Sequence, residues 1–316
     1  MNRQHLTRVL CAVSLLLAVS PAAQATISHT WVASTGSDTN ACTRSAPCAT
    51  FAGALAKTSA GGEIDVADAG DYGPVTISQA VSIEAVGVLA TIQVTSGNAI
   101  TVTAGSSDVV VLRGLTLEGQ GTATHGISFS TGGSLYVENC RINRFGTNGV
   151  NFVPTAASKL FVTDTITRNN GGSSGCGVYV QPGNLGFATA SIDGLRTENN
   201  VCGVKGVDAV NITIRNSVAA NNGFTGFTVA EVGNLPLMLI ENSATVHNGT
   251  NGVWSNGQAP GSPQPPVIRM NNVTVTDNGT GLSSTGGGLI LSFGNNKNDG
   301  NAGGNNGAPT STISQQ

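Results

Sequence analysis

One frame recurs along this chain and limits its fold more than any other feature. Its clearest copy is Asn216-Ser-Val-Ala-Ala-Asn-Asn-Gly-Phe-Thr-Gly-Phe-Thr-Val229. Related copies run Asn139 to Val150, Asp164 to Val178, Gly194 to Val204, Asn242 to Val253 and Asn272 to Leu282. Each has an amide or a small residue, a few strand-like residues, an Asn or Gly turn, then glycine and an apolar residue. That glycine falls at Gly126, Gly149, Gly177, Gly203, Gly226, Gly252 and Gly281, and subtraction gives spacings of 23, 28, 26, 23, 26 and 29. A period drifting through the twenties, with strand alternation and no helical pattern, belongs to a coiled β-solenoid.

Alternation within each rung says which side chains point inward. Leu112, Val137, Val162, Ile192, Ile214, Ile240 and Met270 form one inward stack, and Ile127, Val150, Val178, Val204, Phe227, Val253 and Leu282 a second. The turn between these strands carries Asn170, Asn200, Asn222, Asn248 and Asn278, which reads as a ladder of amides bonded rung to rung. The outward positions of one strand give Asn151, Tyr179, Lys205, Thr228 and Trp254, with Thr228 expected to face solvent.

Residues 1–25 read as an export signal. Arg3 and Arg8 precede the apolar run Val9 to Val19, and Ala23-Gln24-Ala25 is a small-x-small cleavage site. The run is too short to cross a bilayer as a helix. The expected address is therefore secreted, periplasmic or cell-surface, after cleavage near Ala25. Residues 26–80 supply an entry strand, a capping helix over Ala49 to Thr58 stopped by Gly61-Gly62, and the first coil; an open solenoid end needs such a lid. The solenoid occupies 81–298, interrupted by the Pro-rich stretch Asn256 to Pro266. The Gly/Asn-rich stretch from Gly294 on has almost no apolar content, so 299–316 is expected to be a disordered tail.

The signal removes Arg3 and Arg8, leaving 12 of the 14 Lys+Arg against 17 Asp+Glu, a net charge of −5. No basic patch remains for nucleic acid. No later run could insert in a membrane. An exported chain meets an oxidising compartment, so its cysteines should pair. Cys42 and Cys48 close a short loop. Cys176 and Cys202 each precede the framing glycine, which stacks them on adjacent rungs about 4.8 Å apart, within disulfide reach. Cys140 is left over and reads as a buried or half-buried free thiol. No cysteine or histidine spacing suggests a metal site.

Two further stretches carry a resemblance. Gly36-Ser-Asp-Thr-Asn40 and Pro47-Cys-Ala-Thr-Phe-Ala-Gly-Ala54, ahead of the repeat, resemble exported bacterial proteins of the pectin-lyase-like superfamily over roughly residues 30 to 298. The resemblance implies an all-β fold, a single-stranded right-handed parallel β-helix of about nine or ten coils with a short N-terminal capping helix. It leaves function open, since such folds serve lyases, hydrolases, epimerases and tailspikes. The lyases use an acidic calcium cluster with an Arg or Lys base, the hydrolases Asn-Thr-Asp, paired Asp and Gly-His-Gly, and the epimerases Asp-Pro-His. None of the three motifs occurs here, and there is no Asp-Asp pair.

Outward charges read mainly as a cross-strand ladder, with Arg113 and Glu138, Arg168 and Glu198, or Arg215 and Glu241 as partners. Arg141, Arg168 and Arg196 are the candidates if an acidic sugar binds on that face. Tyr179, Lys205 and Trp254 are the candidates on the other face, since sugar sites favour aromatic faces beside polar groups. His125 and His247 are lone histidines with no triad around them. The missing motifs favour a non-catalytic exported solenoid that binds glycans or another surface component. The other reading is a pectate-lyase-like enzyme on an acidic polysaccharide, for which calcium would be the cofactor. No catalytic residue is named by the sequence.

Overall fold

The computed structural model describes residues 27–172, 174–183, 186–258 and 264–314. The export signal expected over residues 1–25 lies outside them. Each turn of the chain lays one strand on each of three parallel sheets. The first sheet has 12 strands, the second 10 and the third 9. All strand pairs join one coil to the next, in parallel. Eight successive coils, from Val81–Glu84 through Thr280–Thr285, give each sheet a strand of three residues or more. The coil before them is thin, with a two-residue middle strand, Gly70–Asp71. The coil after them lacks a third strand. The count of nine or ten coils therefore reduces to eight regular ones between two incomplete ends.

The inward stacks follow the sequence register. Leu112, Val137, Val162, Ile192, Ile214, Ile240 and Met270 face one another in succession and are buried. The second stack, Ile127 to Leu282, is likewise in register and buried. The recurring glycine has a steric cause. A Cβ at Gly203 would lie 2.4 Å from the Gly226 carbonyl oxygen, and one at Gly226 would lie 2.6 Å from that of Gly252. Only glycine lets the backbones of consecutive rungs come this close.

The amide ladder is continuous. Asn222 Oδ1 accepts from the Asn200 backbone N–H at 3.1 Å, while its Nδ2 donates to Asn248 Oδ1 at 2.9 Å. The same exchange links Asn170 to Asn200 and Asn248 to Asn278. Both expected disulfides are present, Cys42–Cys48 and Cys176–Cys202, with Cα–Cα separations of 4.7 and 4.4 Å. Cys140 is free and buried.

The ends differ from expectation in two ways. The capping helix is shorter, Phe51–Leu55, and a nine-residue strand starts at Thr58. The Thr58 hydroxyl reaches the Ala54 carbonyl and the Thr30 side chain, so the chain leaves the helix four residues before Gly62. Phe51 and Ala54 are buried beneath this lid. At the other end, residues 299–314 are folded rather than disordered. Asn301 extends the ladder by accepting from Asn278 N at 3.0 Å. Ser311–Thr312 adds a last strand to the first sheet. Low apolar content did not leave this segment unfolded, because side-chain amides hold it: Asn298 bonds the Asn306 carbonyl, and Asn306 donates to the Asp299 carboxylate at 3.2 Å.

Candidate functional site

The outward column of the third sheet is assembled as the alternation requires. Asn151, Tyr179, Lys205, Thr228, Trp254 and Ser283 face one another across successive rungs. Beside the column the surface sinks into a depression of about 540 Å³ lined by Lys205, Thr228, Trp254, Phe224, Ser174 and Cys202 among others. One wall comes from a wide turn. Six positions separate Asn170 from Cys176, against two from Asn200 to Cys202. The turn opens at Gly171 and Gly172, with φ of 105° and 43°, a region open to glycine. The Cys176–Cys202 bond anchors this turn to the next rung.

The opposite wall is aromatic. Phe224 meets Trp254 edge to face, centroids 5.5 Å apart at 81°. The Trp254 indole N–H donates to the Thr285 hydroxyl at 2.9 Å, which fixes the ring. Lys205 Nζ stands 6.0 Å from the Tyr179 ring centroid. Lys205 has no carboxylate partner among the described residues, and burial lowers its ammonium pKa. Burial, then the nearby Asp208 charge, raises that of Tyr179. The Tyr179 hydroxyl donates to Gln181. Thr225, wholly buried at the same depression, has a hydroxyl with no partner among the described residues. Thr228 corrects the expectation of a solvent-facing residue. It is 2 % exposed, flanked by the larger Lys205 and Trp254, and its hydroxyl donates to the Trp254 carbonyl at 2.9 Å.

The structure does not gather the three arginines into this site. They lie on the second sheet. Arg141 and Arg196 face Ile166 from either side, two rungs apart, and Arg168 sits in the adjacent column between Asn143 and Glu198. The expected Arg168–Glu198 pair is not formed, because Arg196, two residues along the same strand, holds Glu198 at 2.5 Å. The other two ladder pairs are present. Arg113 bonds Glu138 and also Glu84, both at 2.8 Å, and Arg215 bonds Glu241 at 2.8 Å. His125 is half-buried with Nδ1 at 2.7 Å from the Thr147 hydroxyl, and burial lowers its pKa. No carboxylate lines the depression, so a hard cation such as calcium finds no oxygen set there among the described residues.

One cluster escaped the sequence reading. His29, Glu63 and Asp65 converge at the first coils of the first sheet, with one ligand atom from each within 4.8 Å of the others. The signal was present as two outward i, i+2 pairs, His29 with Trp31 and Glu63 with Asp65, but their register across strands was not legible.

No protein-family model and no curated protein matches the sequence. Among solved structures, the crystal structure of pectate lyase Pel9A superposes with a TM-score of 0.65 at 17 % identity, covering 91 % of this chain and 82 % of that one. At that identity the likeness is one of fold. Three parallel sheets wound coil by coil, a buried asparagine ladder and this superposition together make the chain a right-handed parallel β-helix, a fold it shares with that structure.

Proposed function

We propose that the protein is an exported glycan-binding β-helix that holds its ligand at the third-sheet depression without transforming it. The observation that carries this reading is the pairing of an aromatic edge, Phe224 and Trp254, with one partly buried ammonium that faces no carboxylate. A pyranose offers a C–H face to an indole and hydroxyl or carboxylate oxygens to an ammonium. The column runs along the solenoid, and rungs repeat at about 4.8 Å, so successive sugar units meet successive rungs. Two disulfides fit an oxidising compartment, and no helix among the described residues is long and apolar enough to cross a membrane.

The test is calorimetric titration with uronate and neutral oligosaccharides chosen from a glycan array. Trp254→Ala should weaken binding by about 1 kcal/mol or more. Lys205→Ala should weaken acidic ligands more than neutral ones, and added salt should narrow that difference. Absence of binding by the wild type, or indifference to both substitutions, removes the site.

One observation favours a second reading. A lysine whose ammonium is held below its usual pKa is a competent base for proton abstraction beside a uronate carboxyl. Unsaturated product from a uronate polymer, abolished in Lys205→Met, would replace binding by a lyase activity.

A further inference from the structure

We propose that His29, Glu63 and Asp65 form a binding site for a first-row divalent metal ion of the zinc class. The three residues stand on the outward face of two neighbouring strands, Ile27–Val32 and Thr58–Val66, with His29 directly opposite Glu63. One nitrogen and two carboxylate oxygens lie within 4.8 Å of one another. A zinc ion about 2 Å from each would draw these atoms to roughly 3 to 4 Å apart, a movement that rotation of the exposed His29 and the partly exposed Glu63 and Asp65 supplies.

Around the His29–Asp65 pair, carboxylates outnumber the cations that meet them. Glu84 lies opposite Asp65 and adds a third carboxylate. Glu84 is bonded to Arg113, which is shared with Glu138 at 2.8 Å from each. Glu63 has no ion-pair partner among the described residues, and His29 Nε2 contacts Asp65 alone, at 2.5 Å. The imidazole is also pre-oriented. It stacks on Trp31 with centroids 5.4 Å apart at 4°, and Arg44 caps the indole at 5.0 Å. A neutral imidazole with two carboxylates suits zinc, nickel or copper; calcium prefers six or more oxygens. Ligands drawn from both strands would let the ion fasten the edge strand to the first coil.

The experiment is titration of the chelator-treated protein with zinc chloride, followed by calorimetry and by thermal unfolding. Cobalt(II) absorption supplies an independent readout of coordination. The wild type should bind one zinc ion and unfold at a higher temperature with it. His29→Ala and Asp65→Asn should each weaken zinc binding at least tenfold and remove the thermal shift, while unfolding like the wild type without metal. His247→Ala, which removes an exposed histidine 3.8 Å from Asp277, should bind as the wild type does. Equal zinc affinity in the wild type and in His29→Ala would overturn the proposal, as would no zinc binding by the wild type, or displacement of zinc by equimolar calcium.

Discussion

Asn222→Ala tests the ladder where its cost can be worked out. The side chain makes four hydrogen bonds. It accepts from Asn200 N at 3.1 Å and Asn200 Nδ2 at 3.2 Å, and donates to the Thr197 carbonyl at 3.2 Å and Asn248 Oδ1 at 2.9 Å. Alanine removes all four. Asn200 Nδ2 keeps the Thr167 carbonyl and the Thr197 hydroxyl, and Asn248 Oδ1 keeps the backbone N–H of residue 222. The Asn200 backbone N–H keeps nothing. An orphaned buried donor costs about 1–3 kcal/mol and each of the three remaining lost bonds about 0.5–1 kcal/mol, so the loss should be about 2.5 to 6 kcal/mol. The adjacent Asn221→Ala is the control. Asn221 is exposed, with φ of 54°, so alanine there meets only the left-handed backbone cost of about 1–2 kcal/mol. Urea unfolding of both variants gives the comparison. A smaller loss for residue 222 than for residue 221 would mean that the ladder is not the main internal tie between rungs.

Other expectations follow from the same register. Ile214→Asp, buried between rungs, should prevent folding, whereas Thr213→Asp on the outward face should leave a β-type circular dichroism spectrum. Replacing Cys176 and Cys202 by serine should cost about 3 kcal/mol in denaturant titration and weaken any ligand bound beside the wide turn. Burial pushes the Cys140 thiol up from 9.0 to about 11. The folded state keeps that proton after the unfolded chain has lost it, so stability falls as pH rises from 9 toward 11, and Cys140→Ala should flatten that part of a denaturation-against-pH curve.

What was legible in the sequence was whatever the repeat enforces. Gly203 and Gly226 recur because a neighbouring carbonyl leaves no room for a Cβ, and Gly126, Gly149 and Gly252 meet the carbonyl of the next glycine in the same way. The same holds for Asn200 and Asn222, and for Cys176 and Cys202, which share one repeat position. What depends on a single coil was harder to read. Thr228 is outward by alternation yet buried by its two neighbours, and pattern says nothing of neighbour size. The wall of the depression was foreshadowed by the 28-residue step from Gly149 to Gly177, but a longer step does not say where the excess chain goes. The last segment misled because amides satisfying backbone groups look, in composition, like chain that solvent keeps unfolded. His29 and Glu63 lie 34 positions apart, and only the pairing of the first two strands joins them.

A stack of identical rungs has no internal reason to end, and each exposed last rung is a template for another copy. Here the final amide of the ladder, Asn301, is met at 3.0 Å by Asn306 of the same chain. The backbone N–H groups of Gly281 and Leu282, on the last strand of the third sheet, are likewise taken by the carbonyls of Asn305 and Asn306. The returning segment thus does for the solenoid what a chain terminator does for a polymer. It spends the last amide and two edge N–H groups of the growing end on the chain itself, where an added rung would otherwise bond.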